Sequence, residues 1–143
     1  IFALINGVEP SWTWLLVPLS LLELYALSLG ISFLLGAVNV KYRDITSIWD
    51  VCIQALFYAV PIIYPVALVA ESSSVAAKIL LLNPIAQSIQ DIRHNLITPE
   101  TITTWNYIGN HFVQFLPIIF IIIVLVFAAI YFRKKSKFFA EEI

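Results

Sequence analysis

The stretch that decides the fold is KILLLNPIAQSIQDIRHNLI, residues 78–97. Its apolar run stops at Asn83-Pro84, where a new helix is expected to begin, because Asn is a good N-cap and Pro is favoured at the first helical position. Neither piece reaches the roughly 20 residues that a membrane crossing needs. The sequence therefore predicts a helical hairpin over residues 75–97, which either re-enters the membrane or lies on its surface.

The second helix of this hairpin carries apolar and polar residues on different faces. Its apolar residues recur at helical spacing, namely Ile85, Ile89, Ile92 and Leu96. Its polar residues are Gln87, Gln90, Asp91 and His94. Since a broken helix persists at membrane depth only where protein or a water-filled path surrounds it, the re-entrant interpretation implies a transport route.

The overall composition indicates a membrane protein. Hydrophobic residues make up 61% of the 143-residue chain and charged residues 12%, with a mean hydropathy of +0.93. Soluble domains carry about 25% charged residues. We therefore expect an integral membrane protein, and the net charge of -1 gives no reason to expect a nucleic-acid partner.

The apolar runs and polar breaks predict one all-α transmembrane domain. Three complete transmembrane helices are expected, at residues 11–38, 48–69 and 112–132. The other segments are interpreted as the end of a preceding span with an outer turn (1–10), a cytoplasmic loop (39–47), an outer region containing the hairpin (70–111) and a cytoplasmic tail (133–143).

Basic residues predict the orientation. Six of the eight lysines and arginines fall on one side of the predicted membrane, at Lys41, Arg43, Arg133, Lys134, Lys135 and Lys137. That side is expected to be cytoplasmic, because cytoplasmic loops are enriched in Lys and Arg. The hairpin is therefore expected outside, and the basic tail suits contact with anionic lipid.

The second predicted span has a start signal and a weak point. Ser47 and Asp50 have the spacing of a capping box, which places the start of the helix near Ile48. Pro61 and Pro65 lie in its far half, where each removes a backbone donor. A kink or an unwound segment is expected there.

Three side chains in the predicted spans have two interpretations each. Glu23 lies near mid-span, where a charge costs on the order of 2.5–3.5 kcal/mol, so it serves either a function or a hydrogen bond to a neighbouring helix. Tyr58 and Tyr64 either pack around the prolines or stack on sugar rings in a path. The residues alone leave these alternatives open.

The sequence lacks the motifs of a nucleotide-binding or catalytic protein. It has no Gly-rich loop ending in Lys-Ser or Lys-Thr, so any energy from a nucleotide must come from another subunit. His94 and His111 are not at metal-ligand spacing. We expect no catalytic residue, no metal and no cofactor bound by this chain.

Four motifs in order carry a family resemblance. They are NVKYRDI (39–45), PIIYP (61–65), LNP (82–84) followed by Arg93, and a tail ending in FFAEEI (138–143). Their order resembles the permease subunit of ABC-type exporters of lipid-linked polysaccharide, which carry O-antigen, capsule or teichoic acid. Such permeases have six spans with both ends cytoplasmic. The resemblance therefore implies that the chain is the second half of a six-span permease in a bacterial inner membrane.

The resemblance also implies partners and roles. Two permease copies would enclose a path for the polymer, and separate cytoplasmic ATPase subunits would bind ATP and Mg²⁺. The ATPase-contacting loop would contain Lys41, Tyr42, Arg43 and Asp44, and the outer gate hairpin Asn83, Pro84 and Arg93. Residues proposed along the path are Glu23, Tyr58, Pro61, Tyr64 and Pro65. Two rival functions remain open, a drug or antibiotic exporter of the same fold and an ATP-independent secondary transporter or channel.

Overall fold

The computed structural model describes residues 8, 10–40, 42 and 44–136. Within these ranges all regular structure is helical and no strand occurs, as predicted. A 3₁₀ turn at Trp12–Leu16 leads into the helices, which are α1 (Val17–Asn39), α2 (Ile45–Ala59), α3 (Val66–Ser72), α4 (Ser74–Leu81), α5 (Pro84–Leu96), α6 (Thr104–Tyr107), α7 (His111–Gln114) and α8 (Leu116–Lys135). The predicted end of a preceding span, Lys41, Arg43 and the tail beyond residue 136 lie outside the described residues.

Two helices of the described chain are long and apolar enough to cross a membrane. One comprises the 3₁₀ turn and α1, Trp12–Asn39, with 28 residues; the other is α8, with 20 residues. α1 packs along α8, and this is the most extensive contact between helices in the described chain. A hydrogen-bonded helix satisfies its own backbone groups, so these two elements suit the hydrocarbon interior.

Gly30 allows the close approach of α1 to α8. A Cβ atom at Gly30 would lie 3.2 Å from the Leu125 Cα atom and 3.1 Å from a Val124 side-chain methyl. We predict that Gly30→Ala lowers the unfolding free energy of the purified protein by about 1–3 kcal/mol, because the α8 backbone must move. The matched control is Gly36→Ala, whose Cβ would meet only a Phe132 ring atom at 4.0 Å. Equal unfolding temperatures for both variants would contradict this packing.

The predicted span at 48–69 is not one continuous helix. α2 has 15 residues and ends at Ala59, after which Val60 adopts an extended conformation and helix resumes at Val66. At 1.5 Å per residue α2 is about 22 Å long, shorter than a hydrocarbon core of about 30 Å. The expected interruption at Pro61 and Pro65 is present, whereas the expectation of a third complete helical span is not met.

Two predicted helix starts are wrong. α2 begins at Ile45, three residues before the predicted start at Ile48, since the Ile48 amide already donates to the Asp44 carbonyl at 3.3 Å. The Ser47 amide is therefore inside the helix, and the capping box does not form. The helix expected from residue 112 starts at Leu116 instead, because Pro117 sits in its first turn and the four-residue α7 precedes it.

Candidate functional site

The predicted helix break at Asn83-Pro84 is confirmed. The Asn83 side-chain oxygen accepts a hydrogen bond from the Ile85 amide at 3.0 Å, and Pro84 is the first residue of α5. α4 has eight residues and α5 has 13, so neither is long enough to cross a membrane alone. Asn83 and Pro84 thus set the place where one helix ends and the next begins.

α5 turns its polar face towards the protein. The side chains of Gln87, Ser88, Gln90 and Asp91 are between 0% and 7% exposed. The isoleucines and Leu96 of the helix are only partly buried, and among its apolar residues Ala86 is fully buried. α5 packs against α1, the 3₁₀ turn and α8. Amphipathic surface helices bury the apolar face instead. The burial pattern of α5 therefore makes its polar face the candidate functional surface.

Two hydrogen bonds join α5 to α1 and its 3₁₀ turn. The Ser88 hydroxyl lies 3.4 Å from a Glu23 carboxylate oxygen and 3.0 Å from the Pro84 carbonyl oxygen. The Thr13 hydroxyl donates to the Asn95 carbonyl at 2.9 Å. Of the two interpretations of Glu23, the structure shows the hydrogen bond to a neighbouring helix.

Asp91 connects α5 to the short helix α6. The Trp105 indole N–H donates to the Asp91 carboxylate at 3.1 Å, and the Trp105 ring meets the Phe115 ring edge-on at 5.3 Å between centroids. Burial raises the pKa of Asp91 to about 6, and the charge of Glu23 adds to this, while the bond from Trp105 opposes it. The carboxyl group of Asp91 therefore titrates nearer to neutral pH than an exposed one.

Arg93 binds the proline segment, by which we mean residues 60–65. Its two guanidinium nitrogens Nη1 and Nη2 donate to the carbonyl oxygens of Pro61 and Ile62 at 2.8 and 2.6 Å. The Tyr64 hydroxyl of the segment donates to the Tyr58 carbonyl, near the end of α2, at 3.2 Å. The structure thus brings together two sequence motifs, PIIYP and the Arg93 that follows LNP, that lie about 30 residues apart.

The remaining predicted site residues do not join the contacts made by α5. We call the residues in those contacts the α5 cluster; they are Thr13, Glu23, Ser88, Asp91, Arg93, Asn95, Trp105 and the proline segment. Tyr58 is 74% exposed, so its ring is available to lipid, another chain or a substrate. Tyr42 and Asp44 lie at the opposite end of α1 from the 3₁₀ turn, between Asn39 and α2. Lys41 and Arg43 are outside the described residues. The loop and the α5 cluster are therefore separate places in the fold.

Sequence reasoning missed three members of the cluster. Ser88 and Thr13 are short hydroxyl residues without a distinguishing pattern, and their partners become visible only in the packed structure. Trp105 lies in the region 70–111, for which only an outer location is predicted from the sequence, but the capping box from Thr103 to Asn106 is a usable signal of local order around it. Thr103 is 3% exposed, so this segment is packed and not an open loop.

A cleft lies between α1 and α2. Its volume is about 470 Å³ and its walls are mainly apolar, with Leu27, Ser28, Ser32, Trp49 and Phe57 among its lining residues. Ser28 and Ser32 lie four residues apart on α1, and their small side chains leave space beside α2. The cleft reaches Val60 and Ile85, and so it ends beside the proline segment and the start of α5.

Together these features indicate a membrane protein that is all-helical over the described residues, and its intermediate helices are broken and tied by polar contacts. Three relatives are each named O-antigen export system permease protein RfbA. Two from Klebsiella pneumoniae are 25% and 26% identical to this chain, over 96% of it and about half (49% and 50%) of their own length. One from Myxococcus xanthus is 31% identical over 54% of this chain and 30% of the relative.

These relatives confirm the resemblance to permeases of polysaccharide exporters. The chain spans about half the length of the two Klebsiella proteins, and all three relatives are named as transport components. No family model matches the chain, and no solved structure matches it significantly. The chain is thus related to export permeases at low identity. Its fold is described from its own structure alone.

Proposed function

We propose that the chain is part of the permease subunit of an ABC transporter that exports lipid-linked polysaccharide across a bacterial inner membrane. The observation that carries this proposal is the similarity to O-antigen export permeases over 96% of the chain. The two apolar helices Trp12–Asn39 and Leu116–Lys135 support a membrane location. The substrate is of the O-antigen, capsule or teichoic acid type, and the C-terminus is cytoplasmic.

In this proposal, ATP hydrolysis takes place in separate subunits. The permease forms a homodimer, and each copy binds one cytoplasmic ATPase with its ATP and Mg²⁺. The loop with Lys41, Tyr42, Arg43 and Asp44 contacts that ATPase. Its basic residues fit the cytoplasmic side of the membrane.

The outer gate of this transporter is formed by α4 and α5. Both helices are too short to cross, their joint at Asn83-Pro84 is capped, and the polar face of α5 is surrounded by protein. Broken helices at membrane depth require such surroundings. Glu23, through Ser88, and Arg93, through the proline segment, hold the gate in its observed position.

The substrate path runs beside the gate. Pro61 and Pro65 interrupt α2 there, and the exposed rings near them, including Tyr58, offer faces on which sugar rings stack. The partly exposed Tyr64 is tied back to the Tyr58 carbonyl and shapes the same wall. Lipid lies against the apolar outer faces of α1 and α8.

Deletion of the gene in its host tests this function. We expect loss of surface polysaccharide with lipid-linked polymer accumulating inside, because synthesis continues while export stops. Complementation with the full-length gene should restore the surface polymer, and inactivation of the partner ATPase should reproduce the deletion. Unchanged surface polymer with increased drug sensitivity would favour the drug exporter. Export that persists without the ATPase would favour a secondary transporter or channel.

A further inference from the structure

The carbonyl oxygen of Pro61 has no possible partner in a continuous helix. In an α-helix the C=O of one residue accepts from the N–H four residues later. For Pro61 that residue is Pro65, which has no N–H. Pro61 is fully buried, so its carbonyl needs another donor, because an unpaired polar backbone group away from water is destabilising.

Arg93 supplies that donor from another helix. Nη1 of Arg93 lies 2.8 Å from the Pro61 carbonyl oxygen, and Nη2 lies 2.6 Å from that of Ile62. The other hydrogen bonds described for residues 60–65 stay within the segment or reach the adjoining ends of α2 and α3. The guanidinium group therefore ties the segment to α5.

The chemistry of this contact suits arginine. Its planar group presents parallel N–H donors that meet two acceptors at once, whereas a lysine ammonium acts as a single point charge. The contact also lies just beyond the C-terminal end of α2, where the helix dipole is negative and a cation is favoured. Both effects stabilise the interrupted form of the chain over a straight helix.

We propose that Arg93 replaces the amide that Pro65 lacks, and that it is the positioning residue that makes the proline segment and α5 move as one unit. The part that concerns export rests on the proposed function, but the contact itself does not. During transport, a displacement of the interrupted α2 would be transmitted to the gate helices α4 and α5 through the Arg93 guanidinium group.

The test uses the full-length permease assembled with its ATPase and compares backbone hydrogen exchange in the peptide covering residues 60–66. Arg93→Gln should speed exchange there by at least about tenfold, the size expected when a hydrogen bond to a charged group is lost. Arg93→Lys should fall between Arg93→Gln and the wild type, because one donor returns without its pair. Lys78→Gln, which removes an exposed cation from α4, should leave the peptide unchanged.

The decisive variant restores the missing amide. Pro65→Ala gives the Pro61 carbonyl a possible donor within its own chain, so adding Arg93→Gln to that background should speed exchange by less than about twofold. In the wild-type background, Arg93→Gln should reduce polymer export while ATP hydrolysis continues. If Arg93→Gln alone fails to accumulate, recovery of its level by Pro65→Ala supports the proposal.

Three results would overturn the proposal. The first is unchanged exchange in Arg93→Gln. The second is an equal effect of Arg93→Gln in the wild-type background and in the Pro65→Ala background. The third is an Arg93→Gln variant that does not accumulate and whose level Pro65→Ala does not restore. Failure of the proposed function would instead be seen as an absence of polymer export by the wild-type transporter. The exchange results would still decide the role of Arg93 in that case.

Discussion

The double variant Asn83→Ala, Pro84→Ala is expected to abolish export. Ala removes both the side-chain cap at the Ile85 amide and the backbone restriction of Pro84, so α4 and α5 are free to join into one helix. A helix over residues 74–96 would be about 34 Å long and could not turn back on itself. α5 would then leave its contacts at Glu23 and at the proline segment, and surface polymer would fall to near zero.

The control for this prediction keeps the cap. Asn83→Ser retains a good N-cap residue ahead of Pro84 and should leave surface polymer close to the wild-type amount. Immunoblotting of the membrane fraction establishes that both variants accumulate. Normal surface polymer in the double variant, at a normal protein level, would show that the break between α4 and α5 has no role in gating.

The second large effect is a loss of stability as pH rises through 6. Burial raises the pKa of Asp91 from an ordinary value of 3.8 to about 6, so the folded protein binds the proton more tightly than the unfolded chain does. This stabilisation is fully present below pH 4 and is lost as pH rises through about 6. This difference between the pKa of Asp91 in the folded protein and in the unfolded chain corresponds to about 3 kcal/mol.

Asp91→Asn isolates this contribution. The variant cannot ionise at position 91, so its unfolding free energy should depend less on pH between 4 and 8 than that of the wild type. The comparison removes the contribution that the other groups make equally to both proteins. Asp50→Asn is the matched control, because Asp50 is exposed on α2. If wild type and Asp91→Asn showed parallel pH profiles, the buried setting of Asp91 would be contradicted.

The parts of the fold that could be predicted from sequence are those governed by local chemistry. The break at Asn83-Pro84 follows from capping and from the restricted proline ring, and the interruption at Pro61 and Pro65 follows from missing amides. Long apolar runs predicted the two membrane-length helices. Each of these signals acts within one turn of helix or within one uninterrupted run.

The parts that could not be predicted depend on contacts between distant segments. The apolar periodicity of α5 gave no sign that its polar face would be the buried one, because that outcome depends on Glu23, Trp105 and the proline segment, which α5 meets only in the packed structure. The early start of α2 has a local cause instead. Ser47 and Asp50 have the right spacing for a capping box, but the chain already turns at Asp44.

The central claim, ATP-driven export of a lipid-linked polysaccharide, is tested most directly by reconstitution. The full-length permease and its partner ATPase are placed in lipid vesicles, and the appearance of labelled lipid-linked polymer on the far side is followed with and without ATP. We predict translocation that requires ATP and both proteins and is absent with Asn83→Ala, Pro84→Ala. Polymer transfer that proceeds equally without ATP, or no transfer by an assembled complex that hydrolyses ATP, would contradict the account.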